Sequence, residues 1–316
     1  MTRPILAILG ATGAQGGGLA RAALSDPQRR FSVRALTRRP LAEAALALAG
    51  AGADVVQADL DDADSLVAAF RGVHGVFAIT NFWEHHDAAK EKSQAANVVK
   101  AALRAGVRHV VWSTLEDSRT LSPLTDPRIP VIDGRFKVPH MDAKAEANAL
   151  FEQARVPTTY LYAPFYWDNL IHFGMGPKRD GSGVLVLSLP MGEARLPGIA
   201  ASDIGTCALA LFAQGEQAIG RHVGIAGGHP TLREIAAVLG SALREPVRYQ
   251  PITPAEYRAL GFPGAAELAN MFQYKHDFNG PYCESRPVAP TRALHPNLLD
   301  FEGWVARHAD ELKARC

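Results

Sequence analysis

Cysteine is scarce in this chain of 316 residues. There are three, Cys207, Cys283 and Cys316, far apart and without a C-x-x-C pair. The sequence therefore signals neither a disulfide framework nor a zinc site, and reduced thiols are expected. An excess of charge of either sign is also missing, since 33 Lys and Arg against 32 Asp and Glu leave a formal net charge of +1. Nucleic-acid clamps and membrane-surface binders carry a basic excess or patch. With no helix-turn-helix pattern either, a nucleic-acid partner is not expected. No apolar run approaches the roughly 20 residues of a membrane helix, and the N-terminus enters an apolar strand without a basic leader or small-residue cleavage site. A cytoplasmic protein with no membrane partner is the expectation. Internal repeats, low-complexity tracts and obvious linkers are lacking as well. By length the chain makes one large domain or two moderate ones.

What the sequence does have is glycine where an anion would want it. Ile5-Leu6-Ala7-Ile8-Leu9 is an apolar run without polar alternation, the pattern of a buried parallel strand. It leads into Gly10-Ala11-Thr12-Gly13-Ala14-Gln15-Gly16. Glycine lets the backbone turn sharply and come close to a pyrophosphate, while the N–H groups and positive dipole end of the following helix face the anion. The spacing is G-x-x-G-x-x-G rather than the commoner G-x-G-x-x-G. Its place after the first strand, with further βα alternation behind it, marks a dinucleotide turn rather than an ordinary strand-to-helix turn.

The alternation predicts strands at 31–36, 54–58, 75–80, 107–114 and 158–163, with helices at 19–24, 41–49, 65–70, 88–105 and 141–153 between them. Ligands of such sheets bind at the carboxyl ends of the strands. The second strand ends in Thr37-Arg38-Arg39. An acidic residue at this position binds the ribose 2′-hydroxyl of NAD, whereas an arginine grips the 2′-phosphate of NADP through two hydrogen bonds. The arginines favour NADP(H), the other reading being a solvated basic loop. Asp59 and Leu60 end the third strand, where they meet the adenine; Asp59 or Asp61 can equally cap the next helix. After the fourth strand, Thr80, Asn81, Phe82 and Trp83 lie along the cofactor. Glu84-His85-His86-Asp87 lacks the i, i+4 spacing of helical metal ligands and reads as a helix start, so no metal is expected. Leu115 to Pro139 is a long Pro-containing connection that reads as a lid, or as plain disorder. Beyond residue 170 the pattern weakens: strand or hairpin at 181–190, a helix from Ser202 to Ala213, a strand at 222–226, a near capping box at Thr231–Glu234, a strand at 247–250 and helices at 254–260, 264–274 and 301–313.

Taken together, the glycine turn, Thr37-Arg38, Asp59-Leu60, Thr80-Asn81-Phe82-Trp83, Ser113-Thr114-Leu115-Glu116, His140-Met141-Asp142-Ala143-Lys144 and Pro164-Phe165-Tyr166-Trp167-Asp168-Asn169 resemble the NmrA-like family. That family is an atypical branch of the short-chain dehydrogenase/reductase superfamily. Phe262-Pro263-Gly264 and Leu268-Ala269-Asn270-Met271-Phe272 resemble its NADPH redox-sensor members. The resemblance covers essentially the whole chain. It implies an α/β fold: a Rossmann-type doubly wound parallel sheet over 1–163, and a smaller α+β C-terminal domain over 164–316, with about 200–230 returning to the sheet. It implies NADP(H) as cofactor, held also by Ser113, Lys144, Ala163, Pro164, Phe165, Tyr166 and Asn169. A small-molecule substrate or protein partner in the interdomain cleft, and a monomer or homodimer, go with it.

The resemblance also frames the catalytic question. Most short-chain reductases use Tyr-x-x-x-Lys, in which a tyrosine acidified by the lysine passes a proton while hydride moves to or from the nicotinamide. The matching residues here are His140 and Lys144, one helical turn apart. Lys144 can bond the nicotinamide ribose. His140 serves either as acid or base or only as a pocket wall, and Tyr162 and Tyr166 are fallback donors. The expectation is an NADP(H)-binding redox sensor with weak or no turnover; the alternative is an NADPH-dependent reductase of a small carbonyl or quinone.

Overall fold

The computed structural model describes residues 3–315; the thiol expected at Cys316 lies outside the described residues. The chain divides into two compact units, Met1–Asp117 with His140–Ala163 and Ala201–Val223, and Ser118–Pro139 with Pro164–Ala200 and Gly224–Cys316.

In the first unit the apolar runs become a parallel sheet. Its strands are β1 (Ile5–Ile8), β2 (Ser32–Thr37), β3 (Asp54–Gln57), β4 (Gly75–Ala78), β5 (His109–Thr114) and β6 (Thr158–Tyr162). Their order is β6-β5-β4-β1-β2-β3, with a seventh strand, His222–Gly224, beyond β6. Leu6 of β1 faces Val33 of β2 on one side and Gly75 of β4 on the other, both in parallel register. The order therefore reverses between β1 and β4, which is the topological switch point of a doubly wound sheet. β4 and β5 are buried along their whole length, as strands covered by helices on both faces must be. Val76, Ala78, Val110, Trp112 and Phe151 form part of one core under them, each large side chain contributing about 1.5–3 kcal/mol of burial. His109 is part of this interior. Burial, with His74 as a minor influence, pushes its imidazole down to about 4, so it is neutral at neutral pH and pairs with the Thr159 hydroxyl at 2.8 Å.

The helices of this unit are α1 (Ala14–Leu24), α2 (Glu43–Gly50), α3 (Ala63–Ala69), α4 (Ala88–Ala105), α5 (Pro139–Gln153) and a later one, Ala201–Gln214. α1 packs on the helix Ala201–Gln214 through glycine: a Cβ at Gly18 would lie 2.9 Å from the Ser202 Cα, and one at Gly205 2.7 Å from the Leu19 Cα. Asp87 caps α4 by accepting from the Ala89 and Lys90 N–H groups, so Glu84 to Asp87 does lead into a helix. α3 is capped by Asp62, which accepts from Asp64 and Ser65, and not by Asp59 or Asp61. Asp61 instead takes hydrogen bonds from Gln94 and Lys90, while Asp59 accepts from the Asp61 N–H.

The second unit has a two-stranded parallel pair, Phe165–Tyr166 with Gly198–Ile199, and a three-stranded sheet of Lys178–Arg179, Leu185–Leu187 and Val247–Tyr249. The region expected as strand over 181–190 is thus strand only at Leu185–Leu187, paired antiparallel to Lys178–Arg179. Trp167 is buried against Phe301 and Trp304. Both halves of the capping box at Thr231 and Glu234 form. Ser118 to Pro139 is an ordered strap. Asn270, in the helix Ala265–Asp277, donates to the Pro130 and Lys137 carbonyls at 2.8 and 2.7 Å, and Gln273 donates to Arg128 O at 2.7 Å. Lys137 is itself buried and donates to Asp126 O and Ile129 O, both at 2.6 Å. Buried backbone carbonyls are satisfied in this way without helix or sheet.

Candidate functional site

The carboxyl ends of β1 to β5 gather most of the residues expected at the site. At the end of β1, Gly10 takes a left-handed φ of +62° and its carbonyl accepts the Gly13 N–H at 2.8 Å. α1 starts directly after it. Its N-cap is Gly13, without a side-chain cap, and its first turn carries no acidic residue. The first amides of a helix lack intrahelical acceptors and sit at the positive end of the dipole, so this end of α1 is chemically suited to an anion. Gly16 keeps it close to the turn, because a Cβ there would stand 2.6 Å from Leu9 O. Gln15, almost fully buried, accepts a hydrogen bond from the Ser113 hydroxyl at 2.8 Å, which ties the start of α1 to β5. Thr12 and Ala14 lie exposed on the turn, and Ala11 is buried in it.

On the β2–β3 side, Arg38, Gln57, Ala58, Asp59, Asp62 and Ser65 line an open depression of about 400 Å³, within the range of small-molecule sites. Thr37 closes the end of β2, its hydroxyl accepting from the Arg39 N–H at 3.1 Å. Leu60 O accepts from the Asn97 side chain. Arg38 is 59% exposed and pairs with Glu84 at 2.6 Å. That bond, and the nearby Asp59 and Asp61 charges, raise the guanidinium further above its ordinary value despite partial desolvation. An exposed pair of this kind is worth about 0–1 kcal/mol, so it holds Arg38 only weakly.

On the β4–β5 side, Phe82, Trp83 and Glu84 form one 3₁₀ turn behind Asn81. His140, buried on the first turn of α5, packs against Trp83 with ring centroids 4.9 Å apart and against Phe82 at 6.1 Å. One turn later, Lys144 is held on three sides. Its amine donates to the Thr80 carbonyl at 3.2 Å and the Thr80 hydroxyl at 2.6 Å, and it contacts Glu91 Oε1 at 2.7 Å. Thr80 in turn donates to the same Glu91 oxygen at 2.5 Å. An ammonium has three hydrogens, and these contacts use all three; a ribose hydroxyl would have to replace one, of which the 3.2 Å contact is the longest.

Ala163 is buried at the end of β6. Tyr162 bonds His222 Nδ1 at 2.8 Å, at the strand beyond β6. Tyr160 and Tyr162 are the only tyrosines of the first unit. Pro164, Phe165, Tyr166 and Asn169 belong to the second unit. There Phe165 and Tyr166 pair with Gly198–Ile199, Phe165 packs on Phe272, and Asn169 begins the short helix Asn169–His172.

Glu91 escaped the sequence reading, and Glu84, read there as part of a helix start, is the partner of Arg38. For Glu91 a signal existed: it shares the buried stripe of α4 with Gln94, Ala95, Val98 and Ala102, and a carboxylate on an apolar stripe needs an internal partner.

A family model described as the NmrA-like family matches residues 2–305. The curated NmrA-like family domain-containing oxidoreductase hkm9 of Aspergillus hancockii is 28% identical, over 97% of this chain and 97% of its own. Among solved structures, NmrA, a negative transcriptional regulator, in complex with NADP matches with a TM-score of 0.75 at 22% identity, covering 99% of this chain and 96% of that one. The Citrobacter sp. triphenylmethane reductase complexed with NADP(H) gives 0.74 at 20% identity, covering 97% and 99%. At these identities the two structures speak for a shared fold.

Proposed function

The chain belongs to the NmrA-like family, and from that premise we propose that it binds NADP(H) in its first unit and acts as a redox sensor or regulator with little or no hydride-transfer turnover. The residues present fit the cofactor. The uncapped start of α1 above the Gly10 turn would hold the pyrophosphate. The depression beside Arg38, with Gln57 and Asp59, would take the adenosine, with Arg38 leaving Glu84 for the 2′-phosphate. Thr80, Phe82, Trp83 and Lys144 would line the nicotinamide half. Structures of the same fold hold NADP, NADP(H) or NAD, which supports a nicotinamide dinucleotide, and Arg38 is what favours NADP(H).

Bound nicotinamide supplies a hydride donor or acceptor; turnover also needs a group that moves a proton. The observation that carries the weak-turnover reading is the Lys144 amine, spent on Thr80 and Glu91 with an imidazole, not a phenol, one turn before it. Such a lysine has little left with which to acidify a neighbour, and its charge is matched by a carboxylate. Tyr162, the other phenol beside this sheet edge, is bonded to His222. A second reading, an NADPH-dependent reductase of a small carbonyl or quinone with His140 as acid, draws support from the oxidoreductase name of the Aspergillus hancockii relative.

The binding half is tested by calorimetry with NADPH and NADH. One saturable site per chain, tighter for NADPH, is the expected result. Absence of saturable binding, or a preference for NADH, overturns it.

A further inference from the structure

The fully buried carboxylate of Glu91 has no part in the binding reading above, yet it sits where that reading puts the nicotinamide, at the carboxyl ends of β4 and β5. One of its oxygens takes both the Thr80 hydroxyl and the Lys144 amine. The other faces His85 Nε2 at 3.5 Å. His85 Nδ1 accepts the Asp87 N–H at 3.1 Å, and neither His85 Nε2 nor this second Glu91 oxygen makes a hydrogen bond among the described residues. Lys144 is little exposed and lies over the Trp112 ring at 5.1 Å. The result is a cation and an anion 2.7 Å apart in a poorly solvated place.

Packing alone does not call for a charge here. A glutamine would offer the same oxygen to Thr80 and Lys144 and would need no ion pair, and a buried carboxylate is costly to desolvate. What only the carboxylate supplies is cancellation of the Lys144 charge. That matters for a nicotinamide site, because the oxidised ring carries one positive charge that the reduced ring lacks. An unbalanced ammonium nearby would repel the oxidised form selectively.

We propose that Glu91 sets the preference of this protein between NADP⁺ and NADPH by neutralising Lys144. Glu91 is thus a positioning and charge-balancing residue that acts on the cofactor through Lys144. The inference rests on the NADP(H) reading given above.

The test is the ratio of dissociation constants, NADP⁺ over NADPH, measured at equilibrium by calorimetry. Glu91→Gln should raise that ratio on the order of tenfold, as expected for one uncompensated charge in a partly desolvated site. Glu91→Asp, which keeps the charge, should stay near the wild-type ratio. The double variant Glu91→Gln/Lys144→Met removes both charges and should return to it. A merely structural role predicts instead that Glu91→Gln weakens both nucleotides equally, and that outcome overturns the inference. So does a double variant that keeps the raised ratio. If Glu91→Gln alone does not fold, Lys144→Met alone decides: it leaves the Glu91 carboxylate unbalanced and should lower the ratio below wild type, and an unmoved ratio overturns the proposal. Wild-type protein that binds neither nucleotide overturns the earlier reading itself, whereas wild-type binding with an unmoved ratio in Glu91→Gln overturns only this step.

Discussion

Arg38→Asp should weaken NADP(H) by roughly 10²-fold or more and leave NAD(H) within a few-fold. The substitution removes a guanidinium able to grip a phosphate through two charge-assisted hydrogen bonds, each worth roughly 1.5–3 kcal/mol, and every 1.4 kcal/mol is about tenfold in affinity. It also changes the sign of the field. The influences that raise the Arg38 guanidinium are Glu84, Asp59 and Asp61, and with an aspartate in their midst a 2′-phosphate would meet one more carboxylate where a cation had been. A ribose hydroxyl, by contrast, can donate to the new carboxylate. Loss of the existing ion pair is a small matter, because Arg38 and Glu84 are about half exposed. Paired calorimetric titrations with NADPH and NADH check this. Equal losses for the two would show that another residue reads the phosphate.

Gly16→Val should both destabilise the first unit and abolish measurable NADP(H) binding. The obstacle to a side chain is backbone: a Cβ at Gly16 would lie 2.6 Å from Leu9 O and 2.7 Å from the Gly10 carbonyl carbon. Backbone atoms at the end of a central strand cannot swing aside as a side chain would. Overpacking of this kind typically costs about 1–3 kcal/mol. Whatever relaxation relieves it moves the uncapped start of α1 away from the Gly10 turn. Gly17→Ala is the comparison within the same helix. Its Cβ would meet the flexible Arg21 guanidinium at 3.1 Å and Ala11 O at 3.2 Å, so a much smaller effect is expected. Denaturation and NADPH titration of both variants are the measurements; a Gly16→Val protein that unfolds and binds like wild type contradicts the close-approach account.

Much of the first unit was legible in the sequence because its elements announce themselves locally. β1 and β4 are continuous apolar runs, the pattern of buried parallel strands. Arg38 could be placed because a strand end follows from the turn residues around it. The cap of α3 could not be picked from Asp59, Asp61 and Asp62, since the choice is made by which carboxylate reaches the first amides, and it is Asp62, extended at φ −117° and ψ 95°, that accepts from Asp64 and Ser65.

The second unit was harder to read for a physical reason. The strap Ser118 to Pro139 has neither helical nor strand periodicity, and its order comes from Asn270 and Gln273, far along the chain. The helices Asn279–Glu284 and Val288–Leu294 carry Gly280, Pro281 and Pro290 inside them, residues that argue against helix in a sequence. Leu185–Leu187 is three residues long and is a strand through its pairing with Lys178–Arg179 on one side and the distant Val247–Tyr249 on the other. The role of Lys144 was only half legible. Its spacing from His140 follows from the chain, but its engagement by Thr80 and Glu91 depends on three elements meeting.

The proposed role is to hold NADP(H) with little or no turnover. The most direct test follows the fluorescence of bound NADPH over hours in the presence of quinones, aldehydes and ketones, for wild type and His140→Ala side by side. The account predicts that NADPH stays bound and reduced in both proteins. Robust oxidation by the wild type, lost on the order of 10²–10⁴-fold in His140→Ala with NADPH affinity unchanged, is what general acid catalysis by His140 would give, and it would contradict the account.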